Sequence, residues 1–525
     1  MSQLLLLGDE AFAQGALDAG LSGCYAYPGT PSTEIMEYIQ GSARAAERGV
    51  HREWSSNEKV AMEEALGMSF AGKRAIVCMK HVGMNVAADN FVNAAVTGTR
   101  GGLIVVAADD PSMHSSQNEQ DSRFYAQFAM IPCLEPSSQQ EAYDMAAYAF
   151  ELSEKYETPV LLRLTTRLSH SRANVEVGAE KLVDAVPIKE GDRRFVLLPA
   201  IAQKNYAYLI EKQAWFKESS ENSPFNKLVK GEDGGIGVIA SGIAYNYLME
   251  AFGGECPYTV LKVSQYPLPV EQLSEMTRLD KVIVLEEGMP FIENMLLGPL
   301  GDELFHGRMD GTLPRTGELS PAVVAAAFGR SFSGKTAASP LVKARPPRLC
   351  DGCPHANSYG ALNEALQSFP TAKVFGDIGC YTLGALPPFK AIDSCVDMGA
   401  SISMAKGAVD AGITPAIAVI GDSTFTHSGM TGILDAVWEN ANITVLILDN
   451  GTTGMTGGQA SIGAGRIEDI CAGLGVAKEH IRLIVPLPKN QAENVAVMRE
   501  EMEYKGLSVI ISRRECIQTL RRKKK

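Results

Sequence analysis

Short, nearly unbroken apolar runs recur along the chain, each closing on a glycine, an acidic residue or a polar loop. In the first third they are RAIVCMK (74–80), GLIVVAADD (102–110) and PVLLRLTT (159–166). Runs of this kind suit strands of a parallel sheet buried on both faces, whereas a half-exposed strand would alternate. Between them, NEKVAMEEALGMSFAG (57–72) places apolar residues at helical spacing. The amino-terminal MSQLLLLGDEAFAQGALDAG predicts a buried strand entering a helix: no basic residue precedes its apolar run, as a secretion signal requires. Residues 1–185 therefore predict an α/β domain with a parallel sheet.

Residues 186–232 are more charged and irregular and predict a connecting segment. A smaller α/β domain follows over 233–330, with strands at GIGVIASG (235–242), YTVLKV (258–263) and DKVIVLEEG (280–288). The Gly-, Ser- and Pro-rich stretch 331–348 predicts a linker. Residues 349–525 alternate again, with strands at AKVFGDIG (372–379), PAIAVIGD (415–422), ITVLILDN (443–450) and LSVIISRR (507–514). The first and last domains share one architecture, a doubly wound parallel sheet, and flank the smaller one.

At 525 residues the chain is too long for one core. Its formal net charge of −13 argues against general nucleic-acid binding. The one basic run, Arg521 to Lys525, predicts a solvated tail. No apolar stretch is long enough to span a bilayer, so a cytoplasmic protein with reduced thiols is expected. Cys24, Cys78, Cys133, Cys256, Cys395 and Cys471 are scattered and read as small packing residues.

Chemistry concentrates in GDSTFTHSGMTGILDAVWENANITVLILDN (421–450). One strand runs into Gly421-Asp422, a helix follows, and the next strand ends at Asp449-Asn450. Both polar ends project where ligands bind in doubly wound sheets. A carboxylate, an amide oxygen and a nearby main-chain carbonyl suit Mg²⁺, whose shell substrate phosphates often complete. The alternative is that Asp and Asn here are ordinary turn residues after strands. The spacing resembles the thiamine-diphosphate signature, with Ser423 in place of its third glycine and Asp449 in place of its first asparagine. That resemblance implies Mg²⁺ held by Asp422, Asn450 and the main-chain oxygen of Thr452.

Four further cysteines lie in polar loops: Cys350 and Cys353 in a C-x-x-C, Cys380 after a strand and Cys516 after the last one. Four thiolates suit a structural zinc or an iron–sulfur cluster, and spacing alone does not separate the two.

Taken together, YPGTPSTE (27–34), NEKVA (57–61), MKHVGMNVAAD (79–89), SSQNEQDSR (115–123), CDGCPH (350–355), GDIGCYTLG (376–384), MGASIS (398–403) and GDSTFTHSG (421–429) resemble the 2-oxo acid:ferredoxin oxidoreductases. Within that family the likeness is greatest to alpha subunits of the indolepyruvate type. The resemblance implies a thiamine-diphosphate-binding fold with a pyrimidine-binding domain (1–185), a transketolase C-terminal-like domain (233–330) and a diphosphate-binding domain (349–525). It implies that Glu58 activates the cofactor, with Glu63 and Glu64 further along the same helix solvated. His355, Gly379, Cys380, Met398, Gly421 and Ser423 would surround the cofactor. Thr30 would face the substrate carboxylate, with Arg123 a second candidate. Cys350, Cys353, Cys380 and Cys516 would hold one [4Fe–4S] cluster. His81, His114 and His427 read as packing or supporting residues, and Tyr27, Phe124 and Tyr125 as core or pocket walls.

The implied reaction is oxidative decarboxylation of an aryl 2-oxo acid, with coenzyme A as acyl acceptor and ferredoxin as electron acceptor. A smaller beta subunit completes such enzymes, giving an expected α2β2 assembly. The two C-x-x-C-x-x-C-x-x-x-C-P runs usual in these subunits are missing from this sequence, so electrons are expected to leave the first cluster directly to an external carrier or subunit. The rival readings are a non-oxidative thiamine-dependent decarboxylase and a regulatory subunit that keeps the fold.

Overall fold

The computed structural model describes residues 2–188, 191–332, 334, 339–342 and 347–523. They form two compact units, Met1–Ala337 and Ala338–Lys525.

The second unit is built on six parallel strands in the order Ser394–Cys395, Lys373–Gly376, Ala416–Gly421, Ile443–Asp449, Ser508–Arg513, Ile481–Ile484. Its two central strands are apolar at nearly every position because successive side chains point to opposite faces and both faces are covered. Ala416, Ala418, Ile420, Val445, Ile447, Val509 and Ile511 enter one core, against Ile402, Ile433 and Ile467 from three helices. The intervening Ile417, Val419, Leu446, Leu448 and Ile510 enter the other, against Tyr359, Leu362, Val495 and Met498. Asp422 and Asn450 follow directly where the two central strands end.

The first unit holds two sheets. The larger runs Gln265–Tyr266, Cys133–Leu134, Val160–Thr165, Leu103–Asp109, Ala75–Lys80, Gly23–Ala26, His51–Trp54, and is parallel except for its first edge strand. That edge comes from the stretch expected to belong to the smaller domain. The second sheet runs Phe305–His306, Lys281–Leu285, Asp233–Ser241, Tyr258–Val263, Lys227–Val229, with only its last pair antiparallel. One apolar core runs through both sheets.

Two sequence expectations need correction. The stretch 186–232 is not irregular: Pro199–Glu221 is a 23-residue helix. It buries only Leu209, Lys212, Phe216 and Ser220, a helical stripe too thin and too polar to read as periodicity. The amino-terminal strand Ser2–Leu7 is mostly exposed and pairs with Arg172–Val177 in a separate two-stranded sheet. Arg521 to Lys523 are exposed, as expected of a solvated segment, and end the short helix Ile517–Lys523. Lys524, Lys525 and much of the expected linker lie outside the described residues. Among the described residues no helix is long and apolar enough to cross a membrane.

Candidate functional site

In the second unit the parallel register sets Gly421 opposite Leu448, so Asp422 and Asp449 emerge side by side. Their fates differ. Asp449 accepts from Arg513 Nε at 2.6 Å, and Arg513 also grips Glu468, so Asp449 is an ionised group already paired with a cation of its own. Asp422 is buried and its Oδ2 meets no hydrogen-bond partner. Burial, then the charge of Asp449, pushes its carboxyl up to about 7. A carboxylate in that state is stabilised by a cation, and Mg²⁺ is the hard ion such a donor set fits.

Asn450 is oriented by its surroundings. Its Nδ2 donates to His355 Nε2 at 2.9 Å, and its Oδ1 accepts from the Thr452 backbone N–H at 3.0 Å, leaving a second lone pair on that oxygen. Burial holds His355 neutral, down to about 4, as the acceptor role of its Nε2 requires. Thr452 opens a two-residue strand paired with Gln459–Ala460, and Ser423 Oγ accepts from Thr453 Oγ1 at 3.0 Å. A cavity of about 420 Å³ is lined by Asp449, Asn450, Thr452, Gly458, Arg513 and Lys523.

The glycines mark close packing. A Cβ on Gly421 or Gly379 would meet the Tyr381 ring at 2.5 or 2.3 Å. Tyr381 in turn donates to buried Asp377, whose other oxygen accepts from Ser401. Gly399, at φ +91°, leaves room for Ser428, whose hydroxyl donates to the Met398 carbonyl at 2.7 Å. After Asp422 the helix widens into a π turn over Phe425–Gly429, a distortion often found at functional sites. His427 is buried there with its Nδ1 2.9 Å from Ser428 Oγ.

The four loop cysteines lie at the same end of this sheet. Cys380 Sγ is 3.9 Å from Asn450 Nδ2, and the Cys516 N–H donates to the Asn450 carbonyl at 3.1 Å. Burial raises the Cys380 thiol strongly, and Cys353, Cys516 and Cys350 add to the shift, so all four share one field. Among the described residues no three His, Cys, Asp or Glu side chains close into a set that could hold a single metal ion. Tetrahedral zinc would need sulfurs roughly 3.8 Å apart, given Zn–S bonds of about 2.3 Å.

In the first unit Glu58 is buried at the start of helix Glu58–Phe70, capped by Asn57, which accepts from the Val60 N–H. It packs on the first turn of helix His81–Thr97: a Cβ on Gly83 would come within 2.7 Å of Glu58 Cγ and 2.8 Å of Oε1. Asn90 fastens the two helices through the Lys59 carbonyl at 2.7 Å. Glu63 and Glu64 face outward, as expected of solvated residues. Half-buried Thr30 follows Gly29, which lies against Lys80 at the end of strand Ala75–Lys80.

Arg123 does not fit the role of substrate ligand. It is fully buried, with Asp121 on Nε (2.9 Å) and Nη2 (2.5 Å). Glu286 lies 3.0 Å from Nη1, and Ser241, Tyr266 and the Met289 carbonyl take the remaining donors. Arg163 is held likewise by Asp109 and Glu135. Arg123 pins the loop before its own helix to the second sheet, which no sequence spacing reveals. Phe124 packs edge-on against Phe291 in the core, and His114 is exposed beside Glu318. The positioning residues Gly83, Tyr381 and Asp377 lie inside the motifs quoted above, but nothing in the sequence singles them out there.

Two family models and several curated proteins match this chain. Residues 14–207 match the family described as pyruvate flavodoxin/ferredoxin oxidoreductase, thiamine diphosphate-binding. Residues 377–481 match the thiamine pyrophosphate enzyme, C-terminal TPP binding domain. Among curated proteins, the indolepyruvate oxidoreductase subunit IorA of Archaeoglobus fulgidus is 42% identical over 98% of this chain and 86% of its own length. The IorA of Methanothermobacter thermautotrophicus is 39% identical over 98% of this chain and 87% of its own. Among solved structures, the 2-oxoglutarate:ferredoxin oxidoreductase from Magnetococcus marinus, with 2-oxoglutarate, coenzyme A and succinyl-CoA bound, shares the fold. Its TM-score is 0.50 at 17% identity, over 62% of this chain and 65% of that one. With two thiamine-binding family matches and a near-full-length likeness well above 30% identity, the chain belongs to the IorA family of indolepyruvate oxidoreductase subunits.

Proposed function

We propose that this chain is the catalytic alpha subunit of an indolepyruvate:ferredoxin oxidoreductase, converting an aryl 2-oxo acid and coenzyme A to the aryl-acetyl-CoA, CO₂ and reduced ferredoxin. The observation that carries the reading is Asp422: a buried carboxylate with an unpartnered oxygen, beside Asn450 at the ligand end of a doubly wound sheet. Thiamine diphosphate, when bound, supplies the nucleophilic carbon and the electron sink for decarboxylation. Asp422, Asn450 and the Thr452 carbonyl would hold Mg²⁺ against its diphosphate. Neutral His355, Gly379, Met398, Gly421 and Ser423 would line that end.

Glu58 would bind the aminopyrimidine N1′ and pass a proton there, work that suits a carboxyl group shielded by Gly83 and its helix. Thr30 would face the substrate. Cys350, Cys353, Cys380 and Cys516 would hold one [4Fe–4S] cluster taking electrons singly. In this reading 1–185 is the pyrimidine-binding domain, 186–232 a connection, 233–330 the transketolase C-terminal-like domain, 331–348 a linker and 349–525 the diphosphate-binding domain. A beta subunit in an α2β2 assembly and ferredoxin are the partners, in the cytoplasm.

The test is anaerobic co-production with the beta subunit, then iron and sulfide analysis and an assay of indolepyruvate-dependent ferredoxin reduction. Four irons per chain and activity abolished in Glu58→Gln are expected. An iron-free preparation that still releases CO₂ would sink the oxidative reading.

A further inference from the structure

The loop that carries Thr30 runs over a lysine that the sequence motifs left without a role. Lys80 ends the apolar strand Ala75–Lys80 and is 9% exposed. A Cβ built on Gly29 would sit 3.1 Å from Lys80 Cβ, so the Thr30 loop passes directly across it. The next residue, His81, begins the 17-residue helix whose first turn backs Glu58 through Gly83. Thr30, Lys80 and Glu58 thus gather at the carboxyl end of one sheet, around one helix start, where the partial positive charge of the backbone also favours an anion.

What distinguishes Lys80 is its incomplete set of partners. An ammonium has three N–H donors. Lys80 Nζ spends one on the Ser115 carbonyl at 2.7 Å and reaches Ser115 Oγ only at 3.5 Å. The nearby Asp110 is occupied by the Ser115 N–H, Ser116 and Thr166, and acts on Lys80 only through space. The buried arginines of this unit each have a carboxylate: Arg123 has Asp121 and Glu286, Arg163 has Asp109 and Glu135, Arg74 has Glu154, Arg100 has Asp192, and Arg308, though its Nη2 lacks a hydrogen bond, has Glu287 at 3.8 Å. Lys212 is as buried, but it caps the Glu157 carbonyl ahead of strand Val160–Thr165, at the opposite end of the sheet. Burial brings the Lys80 ammonium down to about 8, and an arriving carboxylate would offset that cost.

We infer that Lys80 binds the carboxylate of the 2-oxo acid, with Thr30 beside it, in the role that Arg123 cannot fill. This rests on the function proposed above and names the residue that reads the acid group of its substrate.

The experiment uses the full chain assembled with its beta subunit, loaded with thiamine diphosphate and kept anaerobic. Wild type, Lys80→Met, Lys80→Arg and Lys212→Met are compared for KM and kcat with indolepyruvate. Inhibition by 3-indolepropionate and by its carboxamide is measured alongside. A charge-assisted contact of this kind is worth roughly a tenfold to hundredfold change in affinity. Lys80→Met is expected to raise the KM and the inhibition constant of the acid by about that factor, while the amide stays within about twofold. Lys80→Arg should recover part of the loss, and Lys212→Met should leave acid and amide discrimination as in wild type. Equal losses for acid and amide, or no loss for either, would overturn the assignment. If Lys80→Met does not assemble, Lys80→Gln, which keeps a donor for Ser115, is read by the same criterion. Wild-type enzyme inactive on every aryl 2-oxo acid would instead refute the proposed function.

Discussion

Replacing Gly83 with alanine adds one methyl group behind the activating carboxylate. The added Cβ would stand 2.7 Å from Glu58 Cγ, about 0.7 Å short of the 3.4 Å where ordinary contact begins, and 2.8 Å from Oε1. Gly83 is itself buried in helix His81–Thr97, and Asn90 holds that helix to the one bearing Glu58. The strain therefore falls on the Glu58 side chain. Two stability terms oppose each other: alanine gains about 1 kcal/mol over glycine in a helix, and overpacking costs about 1–3 kcal/mol. The net loss of stability is small, at most about 2 kcal/mol. Catalysis is more sensitive, because a misplacement of about 1 Å can cost on the order of a hundredfold in rate. Gly83→Ala is thus expected to lower kcat for indolepyruvate-dependent ferredoxin reduction by roughly tenfold to a hundredfold, with a nearly unchanged unfolding midpoint. Gly67→Ala is the control: it lies on the Glu58 helix with no heavy atom within 4 Å of an added Cβ, so it should gain stability at full activity. Full kcat in Gly83→Ala would refute the claim that this contact positions Glu58.

Three further outcomes follow from the same geometry. Arg123→Met leaves Glu286 buried without its cation and Asp121 with Arg163 alone, at 3.3 Å, so thermal or urea unfolding should show a loss of about 3–5 kcal/mol; a stable variant with a raised KM would restore Arg123 as a substrate ligand. Asp422→Asn should abolish Mg²⁺-dependent thiamine diphosphate binding by calorimetry, whereas Asp449→Asn should chiefly loosen Arg513 and Glu468; equal binding losses would show that the two aspartates share the metal. Asp9 is fully buried with neither oxygen partnered, and burial pushes its carboxyl up to about 8 from 3.8. The folded state thus holds a proton that the unfolded state releases, and the stability this confers is full below about pH 4 and lost as pH rises towards 8. Asp9→Asn should remove that slope, on the order of 1.4 kcal/mol per pH unit, and stabilise more at pH 7.5 than at pH 5 in denaturant titrations; a pH-independent effect would contradict it.

The apolar runs of the second unit predicted its central strands to within a residue or two, because a strand covered on both faces must be apolar at every position. Ile417 and Ala418 show this: they enter different cores and both must be greasy. The helix Pro199–Glu221 was illegible for the converse reason, since four buried positions in 23 residues, two of them polar, leave almost no periodic signal. The amino-terminal LLLL misled because composition alone does not say whether a second face is covered.

At the site the division is similar. Asp422, Asn450 and the cysteines were legible because chemistry and spacing lie within single strand–loop units. That Asp422 keeps an open oxygen while Asp449 is taken by Arg513 depends on a strand more than sixty residues away. Contacts distant in sequence also separate the readings of Arg123 and Lys80. Both are cations at loop or strand ends in the sequence, and only the packing of the second sheet against the first satisfies one completely and leaves the other short of a partner. Local sequence determined which elements form and which reactive groups they carry. Tertiary structure decided which of those groups are neutralised, because that depends on charges brought together from distant parts of the chain.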